Sequence, residues 1–156
     1  MQDEQINPSI PQSLNPSMQR DLVPLAVSTI GLAIMLGTAI MTVFLLFNRS
    51  MVQDLPLTPD ARPDVYQPAA TMLLVGVMCT LIIPMVTAWG LLAPVEVSYR
   101  RFGFAMVSGL GALVVSMLAV PANELLGSRG LSVLLALALV ACLVLGKRVW
   151  VRRSAL

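Results

Sequence analysis

The side chains that chemistry needs are few in this chain and stand apart from one another. Glu96, Tyr99 and Arg100 lie within one short polar stretch. An acid, a phenol and a guanidinium could move a proton and hold an anion at a membrane interface, but these three are better explained as loop anchors. Asp54, Asp60 and Asp64 make an acidic group able to touch a cation. Arg49 and Arg62 lie nearby, and the spacing lacks the Asp-x-Asp-x-Asp-Gly order of a calcium loop, so a solvated loop is the expectation. Asn123, Glu124 and Arg129 form a further polar cluster, read as an interfacial turn with Glu124 facing water and pairing with Arg129.

Histidine is absent, which removes the commonest metal ligand and the side chain suited to proton exchange near neutral pH. Histidine-held haem, zinc hydrolysis and Ser-His or Cys-His catalysis are disfavoured with it. The two cysteines, Cys79 and Cys142, each fall near the middle of an apolar run, as small buried thiols do. No phosphate-cradling glycine loop, metal-ligand cluster or nucleophile elbow is present, and Gly109-x-Gly111 is too short and lies in an apolar run. No catalytic, cofactor or metal site is therefore assigned, and a non-enzymatic role is expected.

The elements that would have to position these groups are four apolar stretches, near residues 22–47, 69–93, 102–120 and 131–151, whose interiors carry no ionisable side chain. Each reaches or approaches the roughly 20 residues that a helix needs to cross about 30 Å of hydrocarbon. At 57% hydrophobic and 12% charged, the chain has more apolar surface than one small core could bury. The expected fold is an all-α integral membrane protein: four transmembrane helices in an antiparallel bundle over residues 21–151, a polar disordered tail over 1–20 and a basic tail over 152–156. Ion or proton transport usually leaves charged groups inside the bilayer, and none is found in these runs.

Basic residues are retained on the cytoplasmic side. Arg20, Arg100, Arg101, Lys147, Arg148, Arg152 and Arg153 fall on one side of four spans, against Arg49, Arg62 and Arg129 on the other, so both termini are expected inside. A bacterial inner membrane is the natural setting. Trp89, Tyr99 and Trp150 fall near the same inner boundary, where aromatic rings anchor helices. With Arg100, Arg101, Lys147, Arg148, Arg152 and Arg153, Trp89 and Trp150 are the expected inner-face lipid anchors. A net charge of +2 is too small to suggest nucleic acid as a partner.

The amino tail begins without the basic start and short apolar run of a signal peptide, and its Ile6-Asn7-Pro8-Ser9 is echoed by Leu14-Asn15-Pro16-Ser17. Asp21 is read as an N-cap with Pro24 in the first turn. Pro68 opens the second helix, Pro94 follows it, and Pro84 should kink its interior. Ser98 can cap the third helix. Residues 121–130 are expected to join the third and fourth spans as a tight antiparallel hairpin. Asn48-Arg49-Ser50 matches a glycosylation sequon but abuts the membrane.

The pattern most able to carry function is a set of small residues at helical spacing. Ala105, Gly109, Ala112, Ser116 and Ala119 share one face of the third span. Ala26, Thr29, Ala33 and Gly37 form a row in the first, Ala138, Cys142 and Gly146 in the fourth, and Gly76 and Thr80 in the second. Small residues let membrane helices approach closely. Such faces are expected first to close the chain's own bundle, but Gly31, Thr38, Ser108 and Gly111 extend beyond a single stripe, which argues for a partner subunit or a second copy besides the lipid bilayer. The expected function is a non-catalytic accessory, assembly or structural subunit of a larger membrane complex. The alternative is a small homo-oligomeric transporter or channel for a neutral or lipid-like solute.

Overall fold

The computed structural model describes residues 16–52, 63–93 and 98–154, all of them helical or in short turns between helices. Four helices follow in order: α1 over Pro16–Val52, α2 over Pro63–Leu91, α3 over Ser98–Ser116 and α4 over Ala119–Arg153. Three contain stretches long and apolar enough to cross a membrane, Leu22–Ser50, Gln67–Leu91 and Ala119–Arg153.

Burial runs opposite to that of a water-soluble bundle. The interior is built mostly from small residues such as Ala33, Thr38, Thr80, Ala88, Ala105, Ser108, Ala112 and Ala138, with Leu25, Leu92 and Leu131 also fully buried, while many large apolar side chains point out, Leu143 at 76% exposed and Val114 at 65%. Small residues inside let helix backbones approach, and large ones outside suit a surrounding lipid as apolar as they are.

Helix α1 is the hub. It packs against α2, α3 and α4, and α2 also packs against α3, whereas α4 has no comparable contact with either α2 or α3. The expected hairpin of the third and fourth spans is therefore not formed: α4 turns away from α3 and lies along α1. The connection expected over 121–130 is itself largely helical.

The third apolar run ends sooner than its composition suggests, because α3 stops at Ser116 and not near residue 120. The cause is Pro121, which has no N–H to give the Met117 carbonyl. Val120 N–H takes that carbonyl at 3.1 Å instead, and Leu118 N–H bonds Val115 at 3.0 Å. These three-residue steps are 3₁₀ bonds, which tighten and turn the chain. Helix α4 then breaks once more at Gly127, whose φ of 61° and ψ of −142° lie where a Cβ is not tolerated.

At the other ends the helices outrun the apolar runs. Helix α1 begins at Pro16, a residue pre-set for a first helical position, so residues 16–20 are helical and not part of a disordered tail. Asp21 lies inside α1 and cannot cap it, and Pro24 is also interior. Pro63, not Pro68, opens α2, and the helix continues unbroken through Pro68 and Pro84. Residues 1–15, the loop carrying Asp54 and Asp60, and Pro94 and Glu96 lie outside the described residues.

Candidate functional site

The small-residue rows meet at one junction. Gly37 of α1 sits where a Cβ would lie 2.5 Å from Ala112 Cβ of α3, 2.7 Å from Pro84 Cγ and 3.2 Å from the Thr80 carbonyl oxygen of α2. Pro84 has no N–H, so that carbonyl lacks its helical donor. The absence of a side chain at 37 leaves the carbonyl facing open backbone in a fully buried setting. Glycine at 37 and proline at 84 are thus explained together: one leaves a gap and the ring of the other fills it.

Below and above the junction the same logic repeats. Gly109 approaches the Leu81 carbonyl and Met85, with a notional Cβ 2.8 Å from the oxygen and 2.5 Å from Met85 Cγ. Gly111 faces Ile34 Cδ1, Gly76 faces Phe44, and Gly31 faces Leu145 of α4. Ala105, Gly109, Ala112 and Ser116 are all buried within α3. Ala119, read as part of that helix, is the first residue of α4 and fully buried. Ala26, Ala33 and Gly37 are buried on α1, and Ala138 on α4.

Two members of the fourth row differ. Cys142 is a free, half-buried thiol, and Gly146 meets no atom of another helix within 4 Å of the place a Cβ would take. The surplus small residues are accounted for inside the chain: Gly31 by α4, Gly111 by α1, and Thr38 and Ser108 by burial at 1% and 0% exposure. A hub helix needs small residues on more than one face because it has neighbours on more than one side.

The buried hydroxyls are mostly turned back on their own helices. Thr38 donates to the Ile34 carbonyl at 2.9 Å, Thr42 to Thr38 at 2.7 Å, Ser108 to Phe104 at 2.8 Å and Ser116 to Ala112 at 2.6 Å. This satisfies a polar group without a partner helix. Among the described residues, the Thr29 and Thr80 hydroxyls are buried with no hydrogen-bond partner.

Ionisable groups mark the ends. Arg101 of α3 donates from Nε to the Trp89 carbonyl of α2 at 2.7 Å, and its guanidinium lies 4.5 Å from the Trp89 ring centroid. Arg100 stacks more loosely over Tyr99, 6.0 Å from the ring centroid. At the opposite end Asn48 donates from Nδ2 to the Ala69 carbonyl at 2.8 Å, which engages the sequon amide in tying α1 to α2. Arg49 donates to the side-chain oxygen of Asn123 and, at 3.5 Å, to its carbonyl. Its guanidinium covers Gly127, 3.0 Å from where a Cβ would be. The polar turn therefore uses Asn123 toward Arg49, while Glu124 and Arg129 are exposed.

Sequence reasoning missed this Arg49 clamp, having taken Arg49 only as a loop charge. The signal available was an arginine in the last turn of an apolar run, facing a segment with its own amide. Among the described residues no group of three His, Cys, Asp or Glu could hold a metal ion. No family model matches the chain, and no curated protein or solved structure is significantly similar to it.

Proposed function

We propose that the chain is a non-catalytic subunit of a larger integral membrane complex, serving assembly or structure through its transmembrane helices. In this reading it crosses a bacterial inner membrane four times, in alternating directions, with both termini cytoplasmic. Contact order along the helices supports the alternation. Phe44, Gly37 and Asn48 of α1 meet Gly76, Pro84 and Ala69 of α2, and Gly31 and Arg49 meet Leu145 and Gly127 of α4, so residue numbers fall on one helix as they rise on the other. Arg101 shares an end with Trp89, and Arg153 and Trp150 border Leu91. Basic residues thus gather at one end, and it is this gathering that assigns that end to the cytoplasm in the proposal.

The observation that carries the subunit reading is α4. It packs chiefly on α1, with Leu131, Ala138 and Val149 buried along one face, and its opposite face offers Val133, Leu137, Val140 and Val144, all about half exposed or more. A long helix held on one side has room for another helix beside it. The test is site-specific photo-crosslinking in the chain's own cells from Leu137 and Val144, with Ile82 on α2 as a comparison. Heterologous protein adducts in fixed proportion from the α4 positions are expected. Adducts to lipid alone, with the chain recovered by itself in mild detergent, would sink the reading. Bulky changes at Gly109 or Ala112 cannot serve, because both are buried against the chain's own helices and would damage its fold directly.

The transporter alternative, a homo-oligomer with Pro84 as its moving part, is favoured by one observation: among the described residues the Thr29 and Thr80 hydroxyls are buried without a partner, whereas Thr38, Thr42, Ser108 and Ser116 bond their own helices. Flux of neutral solutes into vesicles holding only this protein tests it, and no flux across a broad panel counts against it.

A further inference from the structure

A cleft of about 390 Å³ opens where α1, α2 and the last turns of α4 meet, within the range of about 300–1,000 Å³ that ligand pockets occupy. Leu32, Leu91, Gly146 and Val149 line it together with Trp150, Arg153 and Ser154. From Gly146 to Arg153 a helix advances about 10 Å, so the cleft is a slot running along α4, its lining apolar at Gly146 and Val149 and basic at Arg153. Gly146 holds the slot open: a Cβ there would meet nothing within 4 Å, although the same row packs tightly at Ala138, which is 2% exposed. Lys147, Arg148 and Arg152 belong to the same turns of α4 but are not part of the lining.

We propose that this slot is a specific site for an anionic phospholipid, one acyl chain lying along Gly146 between Leu32 and Leu91 and the phosphate meeting Arg153. Chain-shaped apolar walls that end in a guanidinium complement a lipid in the orientation it already has in the leaflet. In this reading Trp150 falls at the headgroup boundary, where indole rings settle. The proposal rests on insertion into a membrane and is independent of any partner subunit.

The experiment is native mass spectrometry of the full chain released from nanodiscs of phosphatidylcholine mixed with phosphatidylglycerol. The natural chain retains one phosphatidylglycerol in preference to phosphatidylcholine. Gly146→Leu fills the slot and abolishes retention of either lipid. Arg153→Gln keeps a lipid but lowers the preference for phosphatidylglycerol about fivefold, the effect of one basic group at the surface. Lys147→Gln removes the same charge away from the lining and leaves the preference unchanged. Equal effects from Arg153→Gln and Lys147→Gln would overturn the proposal, because the preference would then be a general charge effect. So would undiminished retention by Gly146→Leu, or cross-linking of Gly146→Cys to the chain's own amino-terminal residues. Arg153 is exposed, so its variant does not depend on repacking. Vesicle flotation separates the two levels: a chain that fails to float refutes insertion, and one that floats without a preferred lipid refutes only the site.

Discussion

Replacing Gly37 by alanine inserts one methyl at the most crowded point of the bundle. Two of the atoms it meets, Ala112 Cβ at 2.5 Å and Pro84 Cγ at 2.7 Å, belong to groups that cannot rotate away. Carbon atoms rest about 3.5–4.0 Å apart, so α1 must withdraw by about 1 Å from both α2 and α3 at once. Overpacking of this kind costs about 1–3 kcal/mol, and two rigid neighbours place it at the upper end. Alanine gains about 1 kcal/mol of helix propensity over glycine, leaving a net loss of about 2 kcal/mol. Gly103→Ala is the control, since a Cβ there meets nothing within 4 Å and only the propensity gain remains. Gly111→Ala falls between them, because its nearest atom, Ile34 Cδ1 at 2.8 Å, is the end of a side chain able to turn. The assay is reversible unfolding in mixed micelles on titration with a denaturing detergent, followed by far-ultraviolet circular dichroism. Gly37→Ala is expected to be least stable and Gly103→Ala most stable, with Ala112→Gly restoring about half the loss in the double variant. Equal stability of the Gly37 and Gly103 variants would refute the three-helix junction.

Three further outcomes follow from the ends of the bundle. Gly127→Ala should lose about 2 kcal/mol in the same assay, because its positive φ is held by few residues other than glycine; an unchanged midpoint would mean that the break can straighten. Arg49→Gln and Asn123→Ala should each lose about 1–2 kcal/mol by removing a partly buried hydrogen bond, with a double variant little worse than either single one. Fully additive losses would show that the two residues act apart. Arg101→Lys should lose about 1 kcal/mol, since it forfeits the Nε donor to the Trp89 carbonyl and weakens the stacking. It should also shift the fluorescence of Trp89, read in a Trp150→Phe background; an unmoved emission maximum would refute the contact.

How much of this was legible in the sequence depends on the kind of signal. Length and apolarity marked the helices, and the step of four and three put Ala105, Gly109, Ala112 and Ser116 on one face, which is the buried face of α3. That pattern identifies a face but not its neighbour. Small rows on different helices share one chemistry, so nothing in Ala138 or Gly31 says that α4 belongs beside α1 and not beside α3. The end of α3 was hidden for another reason. Composition is apolar through Val120, and the stop comes from one missing N–H at Pro121 acting on carbonyls earlier in the chain. The Arg49 clamp spans 74 residues of sequence, a range over which local pattern carries no information. The loop carboxylates Asp54 and Asp60 and the polar residue Glu96 lie outside the described residues.

The hub position of α1 also sets the order in which the molecule can be made. Helix α1 leaves the ribosome before α2, α3 and α4, yet the face carrying Gly31 receives its neighbour only when Leu145 has been synthesised. Through that interval the face lacks the neighbour it has in the finished bundle. A nonsense change that removes α4 would strand the bundle in this half-covered state, with α1, α2 and α3 joined and the Gly31 side of α1 bare. Such a fragment is the one expected to be drawn to quality-control proteases, or to accept α4 from a second chain.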